Sequence, residues 1–272
     1  VFKKLFMKKY LVIGNPIEHS LSPLIQNYWM KKYKLIDSVY EKKKLEKKDL
    51  ENIVDQIRND QISGVNITVP FKQEIIPFLD KLDNVAKSTH SVNTLCKVNK
   101  EVWGYNTDAP GFEKSIIDID YRNKNIFILG AGGVTSSIIY SFSFSANKIY
   151  ITNRTKQKAE QLRKKDVTGK VEVVDWKQKP EVCDIVINTT SIGLTKDENL
   201  GLDFKEYNNK ENVLFYDLIY NPKQTNFLRD AKSRGNKTIN GKMMFLHQAQ
   251  IAFEIWTGIS VEIDDEVIKL LD

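Results

Sequence analysis

Cysteine and histidine are scarce: the 272 residues hold two cysteines, Cys96 and Cys183, and three histidines. The cysteines lie far apart in apolar, strand-like runs with no CxxC pairing. That argues against a disulfide framework and a structural zinc site, and no metal is expected. Long apolar runs are missing as well. No stretch reaches the roughly 20 apolar residues of a membrane-spanning helix. Leu11-Val12-Ile13, behind a basic start, is too short for the apolar region of a signal peptide. The Asn-x-Ser/Thr matches at Asn66, Asn153 and Asn188 are therefore read as chance, and a cytoplasmic protein is expected. Internal repeats and low-complexity segments are absent too.

What is present is ordinary for a globular chain: 41% hydrophobic, 28% charged and 10% aromatic residues. The net charge of +6 raises the question of nucleic acid. Its lysines are spread along the chain, and the densest run, Lys42-Lys43-Lys44 with Lys47-Lys48, is broken by Leu45 and Glu46. No nucleic-acid motif accompanies it, so a solvated face is the reading. Positive potential would still attract an anionic substrate and a phosphorylated cofactor.

Strands alternate with helices along most of the chain. Tyr10–Ile13, Val39–Tyr40 and Gly64–Val69 read as strands, and Val92–Val98 with Val102–Tyr105 as a hairpin. Helices are expected over Ser22–Lys34, with Ser22 as N-cap and Pro23 at N1, over Lys47–Arg58 and over Gln73–Leu79. The middle third changes character. Asn125–Leu129 is a continuous apolar strand feeding Gly130-Ala131-Gly132-Gly133 and a helix over Val134–Phe144. Strands at Lys148–Thr152, Val171–Val174, Ile185–Asn188 and Val213–Tyr216, with a helix over Lys156–Lys164, imply a mostly parallel sheet with covered faces. Helices over Phe245–Thr257 and Asp264–Leu271 close the chain and could return to the first domain. The fold class is α/β in two domains: an N-terminal α/β domain completed by C-terminal helices (1–107 plus 243–272) and a Rossmann-like domain (108–242).

Gly130-x-Gly132-Gly133 between strand and helix is a dinucleotide-binding turn, with Thr135 where the third glycine usually stands. Backbone can approach a pyrophosphate there, and the helix N-terminus offers free N–H groups. An NAD enzyme usually has Asp or Glu at the end of the next strand, to bind the ribose 2′-hydroxyl. Here that place holds Asn153-Arg154-Thr155, with Lys158 one turn on. A guanidinium can bind a 2′-phosphate that a carboxylate would repel, so NADP is favoured over NAD.

Four polar clusters in the first domain fall at strand ends or helix starts. They are His19-Ser20-Leu21-Ser22-Pro23, Asn66-x-Thr68-x-Pro70-x-Lys72, Val92-Asn93-Thr94 and Gly104-x-Asn106-Thr107-Asp108. Ser20 and Ser22 at a helix N-terminus make a natural carboxylate site, although Ser22 alone could be a helix cap; Asn66 and Asn93 could equally be turn or strand-end hydrogen bonders, and Lys72 as an isolated residue reads as a solvated charge.

Taken together they resemble the shikimate dehydrogenase family. The likeness is carried by Gly14–Pro23, Asn66–Lys72, Val92–Thr94, Gly104–Asp108, Gly130–Gly133, Asn153–Thr155, Asp217-Leu218-Ile219-Tyr220-Asn221-Pro222, and Met244–Ala249 followed by Phe253–Gly258. These run in order from Met7 to the C-terminus. Family sequences start near Met7, so Val1–Phe6 is expected to be an extension or a misplaced start. The resemblance implies that Ser20 and Ser22 hold a substrate carboxylate. It gives Thr68, Lys72, Asn93, Asp108 and Gln248 the ring oxygens, and Tyr220 a part in closing the site. Gly130, Ala131, Gly132, Gly133, Asn153, Arg154, Thr155 and Lys158 would hold NADP(H). Lys72 and Asp108 would form the catalytic pair, reducing the ketone of 3-dehydroshikimate to shikimate for aromatic amino acid biosynthesis.

The reverse oxidation, in which Lys72 acts as base, should run faster as pH rises. Hinges are expected near Asp108–Gly111 and Asn240–Met243. A homodimer is compatible with the resemblance. Three positions depart from the family pattern: Gln26 replaces a histidine, His90-Ser91 replaces a commoner Gly-Ala, and Lys242-Met243 interrupts a glycine-rich stretch. Three rival readings stay open. One is a quinate/shikimate dehydrogenase paralogue, one a non-catalytic sensor of a shikimate-like ligand, and one an NADP oxidoreductase for an unrelated substrate.

Overall fold

The computed structural model describes residues 7–195, 198–207 and 213–272. Val1–Phe6, the expected extension, lies outside the described residues. Two compact units emerge, Val1–Gly111 with Leu246–Asp272, and Phe112–Phe245.

The first unit is built on a mixed six-stranded sheet. β1 (Lys8–Gly14), β2 (Ser38–Lys44), β3 (Gly64–Ile67), β4 (Lys81–Leu82), β5 (Thr94–Val98) and β6 (Glu101–Tyr105) lie in the order β2-β1-β3-β5-β6-β4. β1 runs parallel to both β2 and β3, while β3, β5 and β6 alternate direction. One face is covered by α2 (Leu50–Arg58), which buries Leu50, Ile53, Val54 and Ile57 in a cluster with Leu11, Ile13, Val65 and Leu95. Helices α1 (Ser22–Lys32) and α3 (Asn84–Thr89) belong to the same unit.

C-terminal α8 (Lys242–Thr257) packs on the first sheet through its later turns. Trp256 packs tilted against Tyr10 with ring centroids 5.2 Å apart and donates its indole N–H to the Leu95 carbonyl at 2.9 Å. A β-carbon on Gly64 would lie 2.3 Å from that indole nitrogen, so glycine is what lets the helix approach. α9 (Asp265–Lys269) follows, capped by Asp264.

The second unit holds a parallel sheet of β7 (Asn125–Leu129), β8 (Lys148–Thr152), β9 (Val171–Val173), β10 (Ile185–Asn188), β11 (Leu214–Asp217) and β12 (Lys237–Asn240). Its order is β12-β11-β10-β7-β8-β9. Counted from β7, that is 3-2-1-4-5-6, the doubly wound dinucleotide-binding arrangement. α5 (Thr135–Phe142), α6 (Lys156–Lys165) and α7 (Asn226–Ser233) are its helices. The order reverses between β7 and β10, where such sheets bind ligands beyond the strands' carboxyl ends.

The structure differs from the sequence reading in several places. The helix expected over Gln73–Leu79 is only a 3-10 turn at Ile76–Phe78, because Pro77 withholds a donor. Ser22 is the first helical residue rather than the cap; Leu21 precedes it, without a side-chain cap bond. Asp108, expected in a hinge, opens a helix, α4 (Asp108–Ser115). The chain passes between the units inside α4 and inside α8.

Candidate functional site

Lys72 follows β3 in a turn anchored by Phe71, which is buried, and its carbonyl accepts the Val92 N–H at 2.8 Å. Asp108 is set by Asn106, whose side-chain oxygen accepts the N–H groups of Asp108 (3.0 Å) and Ala109 (3.2 Å). Asn106 is itself held by donating to Thr89 Oγ1 and the Ser91 carbonyl. Two fixed turns thus aim a cation and an anion at each other. Lys72 Nζ donates to Asp108 Oδ2 at 2.6 Å, and the side chains are only 11% and 7% exposed. Asn93 Nδ2 donates to the other carboxylate oxygen at 2.9 Å.

An ammonium has three N–H donors. Among the described residues Lys72 spends one, on Asp108, and keeps two for an incoming oxygen. A buried ion pair is weak evidence for stability, since desolvation offsets much of the attraction. Its value here is chemical.

Asn93 is the hub. Its amide nitrogen also donates to Thr107 Oγ1 (2.9 Å), and its oxygen accepts the Thr107 N–H (2.8 Å). Asn66 donates to the Asn93 carbonyl and to Thr94 Oγ1, both at 3.0 Å, and accepts from the Tyr40 hydroxyl at 2.6 Å. Tyr40, in turn, lies against the Ser22 side chain. Ser20 Oγ accepts the Ser22 N–H at 3.4 Å.

Among the described residues neither Ser20 nor Thr68 bonds to the Lys72–Asp108 pair. Gln248 sits on α8 against Gly111, where an added β-carbon would lie 2.8 Å from the Gln248 backbone nitrogen. Tyr220 belongs to the second unit, stacked on Phe245 at 4.5 Å, and burial pushes its hydroxyl up to about 12. Asn66, Thr94 and Thr107 stand in the polar clusters of the sequence without a site role of their own, and Tyr40 stands in none of them. Their signal was only that polar groups in strand runs need partners.

Beyond β7, Gly130 has φ +113°, and an added β-carbon would lie 2.6 Å from Thr189 Oγ1. Thr135, standing where a third glycine is usual, accepts the Gly132 N–H (3.0 Å) and bonds Thr189 (2.9 Å), bracing the loop across β7 and β10. A β-carbon at Gly132 would meet nothing within 4 Å, which leaves room for a ligand to approach its backbone. Asn153 Oδ1 accepts the Ala131 N–H (3.1 Å), and its Nδ2 donates to the Thr155 carbonyl (2.8 Å). Arg154, Thr155 and Lys158 are exposed, and among the described residues neither cation has an ion-pair partner. This donor set fits a dinucleotide carrying an extra phosphate.

Of the three departures, Gln26 keeps a buried amide oxygen with no partner among the described residues. Gln26 is buried and donates to the Ala249 carbonyl at 3.0 Å, tying α1 to α8. His90 ends α3 with φ 49°, a left-handed position that glycine takes more easily. Lys242-Met243 begin α8 directly after Gly241, where a β-carbon would lie 2.0 Å from the Leu218 carbonyl oxygen. Gly241→Ala should therefore lower stability by about 3 kcal/mol, the upper range for overpacking. Urea unfolding checks this; an unchanged midpoint would contradict it.

Asp217, at the end of β11, accepts from Asn188 Nδ2 (3.0 Å), the Ile219 N–H (3.1 Å) and Thr225 Oγ1 (2.6 Å), fixing the loop that carries Tyr220. Burial nevertheless raises its carboxyl to about 6. A folded value above the unfolded one contributes stability below about pH 4 that is lost as pH rises through 6. That difference corresponds to roughly 3 kcal/mol. Relative to wild type, Asp217→Asn should gain stability between pH 4 and pH 7, as urea unfolding at each pH would show. Parallel pH curves for the two proteins would refute it.

Residues 12–95 match the family described as Shikimate dehydrogenase substrate binding domain, and residues 112–224 that described as Shikimate / quinate 5-dehydrogenase. A shikimate dehydrogenase (NADP(+)) of Pelagibacter ubique is 47% identical over 268 residues, covering 97% of this chain and 99% of that protein. Among solved structures, the Listeria monocytogenes shikimate 5-dehydrogenase in complex with shikimate and NAD superposes with TM-score 0.87 at 29% identity. It covers 98% of this chain and 96% of that one. The Thermus thermophilus enzyme in complex with NADP(H) and shikimate gives TM-score 0.85 at 28% identity, covering 97% and 98%. Matched across both units and nearly end to end, the chain belongs to the shikimate dehydrogenase family.

Proposed function

We propose that this chain catalyses the reversible NADPH-dependent reduction of 3-dehydroshikimate to shikimate, a step of aromatic amino acid biosynthesis. The observation that carries the reading is the buried Lys72 ammonium, paired with Asp108 and holding two unspent donors. Such a group suits a ring oxygen on which negative charge develops.

Residues 1–107 with 243–272 take the substrate, and 108–242 the cofactor. Ser20 and Ser22, at the start of α1, bind the ring carboxylate, as anions favour helix N-termini. Thr68, Asn93 and Gln248 bind ring hydroxyls, and Tyr220 closes against the ring. Gly130–Gly133, with Asn153, Arg154, Thr155 and Lys158, hold NADP(H). The cofactor supplies the hydride that converts the ketone carbon to a carbinol carbon. Lys72 stabilises the developing alkoxide and gives it a proton, so ketone plus hydride plus proton becomes alcohol. Asp108 orients Lys72 and accepts from a neighbouring ring hydroxyl. In the oxidation direction Lys72 removes the hydroxyl proton.

Two buried free thiols and the lack of a membrane-length helix among the described residues fit a cytoplasmic location. Activity is tested by following NADPH formation from shikimate with NADP and with NAD, and from quinate in parallel. Turnover of shikimate with NADP is expected. NADPH binding without turnover would favour a sensor, and faster turnover of quinate the quinate/shikimate paralogue.

A further inference from the structure

We propose that Tyr40 is a positioning residue for this reaction, setting the Lys72–Asp108 pair through a relay of side-chain hydrogen bonds that all donate in one direction; the inference rests on the function proposed above. The relay starts at the Tyr40 hydroxyl, which donates to Asn66 Oδ1 at 2.6 Å. Asn66 Nδ2 donates to Thr94 Oγ1 at 3.0 Å, and Thr94 donates to Asn93 Oδ1 at 3.2 Å. Asn93 Nδ2 donates to Asp108 Oδ1 at 2.9 Å, and the carboxylate's other oxygen accepts from Lys72. All six residues are buried.

The sense of each link follows from the one before. A carbonyl can only accept, so the Asn93 carbonyl requires Asn66 to face it with nitrogen. That leaves the Asn66 oxygen pointing at Tyr40, whose hydroxyl is its donor. Thr94 receives the Asn66 N–H, so its own proton goes to Asn93. With its oxygen also receiving the Thr107 N–H, Asn93 presents its nitrogen to Asp108. Burial raises the Tyr40 hydroxyl well above its ordinary range, which keeps the donor protonated. The ring has a separate job in the core, packing against Trp256 with centroids 5.9 Å apart. Removing the hydroxyl alone therefore spares the packing and orphans the Asn66 oxygen; it also ends the contact with the Ser22 side chain, an effect that falls on KM for shikimate, whereas the relay is read on kcat. Closed networks of this kind hold a reacting group within the narrow tolerance that catalysis needs.

The test is a double-mutant cycle on kcat for shikimate oxidation, with the wild type and Lys72→Ala run alongside. Tyr40→Phe and Thr94→Val, each isosteric, should each lower kcat about tenfold, the worth of one buried hydrogen bond. Links in one relay fail together, so the double variant should also be about tenfold down; independent structural damage would multiply to about a hundredfold. Thr94→Ser, which keeps the hydroxyl, should retain the wild-type rate, and this comparison stands even if Tyr40→Phe does not fold. A Tyr40→Phe enzyme with unchanged kcat, a multiplicative double variant, or equal rates for Thr94→Ser and Thr94→Val would each overturn the relay. Should wild type turn over and Lys72→Ala fail while any of these is seen, the relay alone falls. Wild-type turnover in Lys72→Ala would instead remove the reading it rests on.

Discussion

Lys72→Ala should lower kcat for shikimate oxidation by roughly a thousandfold while changing KM less than about tenfold, within the range for loss of a positioned acid–base group. The asymmetry follows from where the ammonium sits. Its two unspent donors gain most when charge builds on the reacting oxygen, so their loss falls on the transition state rather than on binding. The substitution also leaves the Asp108 carboxylate buried without its cation, with Asn93 as its remaining side-chain donor. Such orphaning costs about 3–5 kcal/mol of stability. Kinetics are therefore to be normalised to the folded fraction, and Lys72→Ala/Asp108→Asn, which removes the stranded charge, should recover stability without recovering rate. A folded Lys72→Ala enzyme near wild-type turnover would refute the assignment.

Arg154→Asp should lower kcat/KM for NADP by about a hundredfold or more and leave that for NAD nearly unchanged. A charge-assisted hydrogen bond to phosphate is worth about 1.5–3 kcal/mol. Reversing the charge adds repulsion, and the new carboxylate suits an unphosphorylated ribose. The residue is exposed and makes no ion pair among the described residues, so the fold should not register the change. Steady-state rates with both cofactors decide the matter. An unaltered NADP-to-NAD ratio would show that another group reads the phosphate.

Much of the second unit could be read directly from the chain. Asn125–Leu129 is an apolar strand buried along nearly its whole length, Lys148–Thr152 buries Ile149, Ile151 and Thr152, and the bounds of both come out as read. What escaped was short: two-residue β4, six-residue α3, four-residue β12, and α7, which is amphipathic but only eight residues long. The helix expected over Gln73–Leu79 is cut to a 3-10 turn, and Pro77, within the expected span, is the physical reason.

The candidate site divides the same way. Lys72, Asp108 and Asn93 stand in motifs whose residue types already suggest chemistry. Tyr40 does not, because its role depends on register. β1 places Tyr40 beside Tyr10 on one side and Asn66 beside Val12 on the other, and nothing local announces that pairing.

The most direct measurement is a crystal structure of the ternary complex with shikimate and NADP. Lys72 Nζ is predicted to lie about 3 Å from the ring hydroxyl that is oxidised, with Asp108 accepting from its neighbour. A ring bound with that hydroxyl out of reach of both side chains would contradict the account.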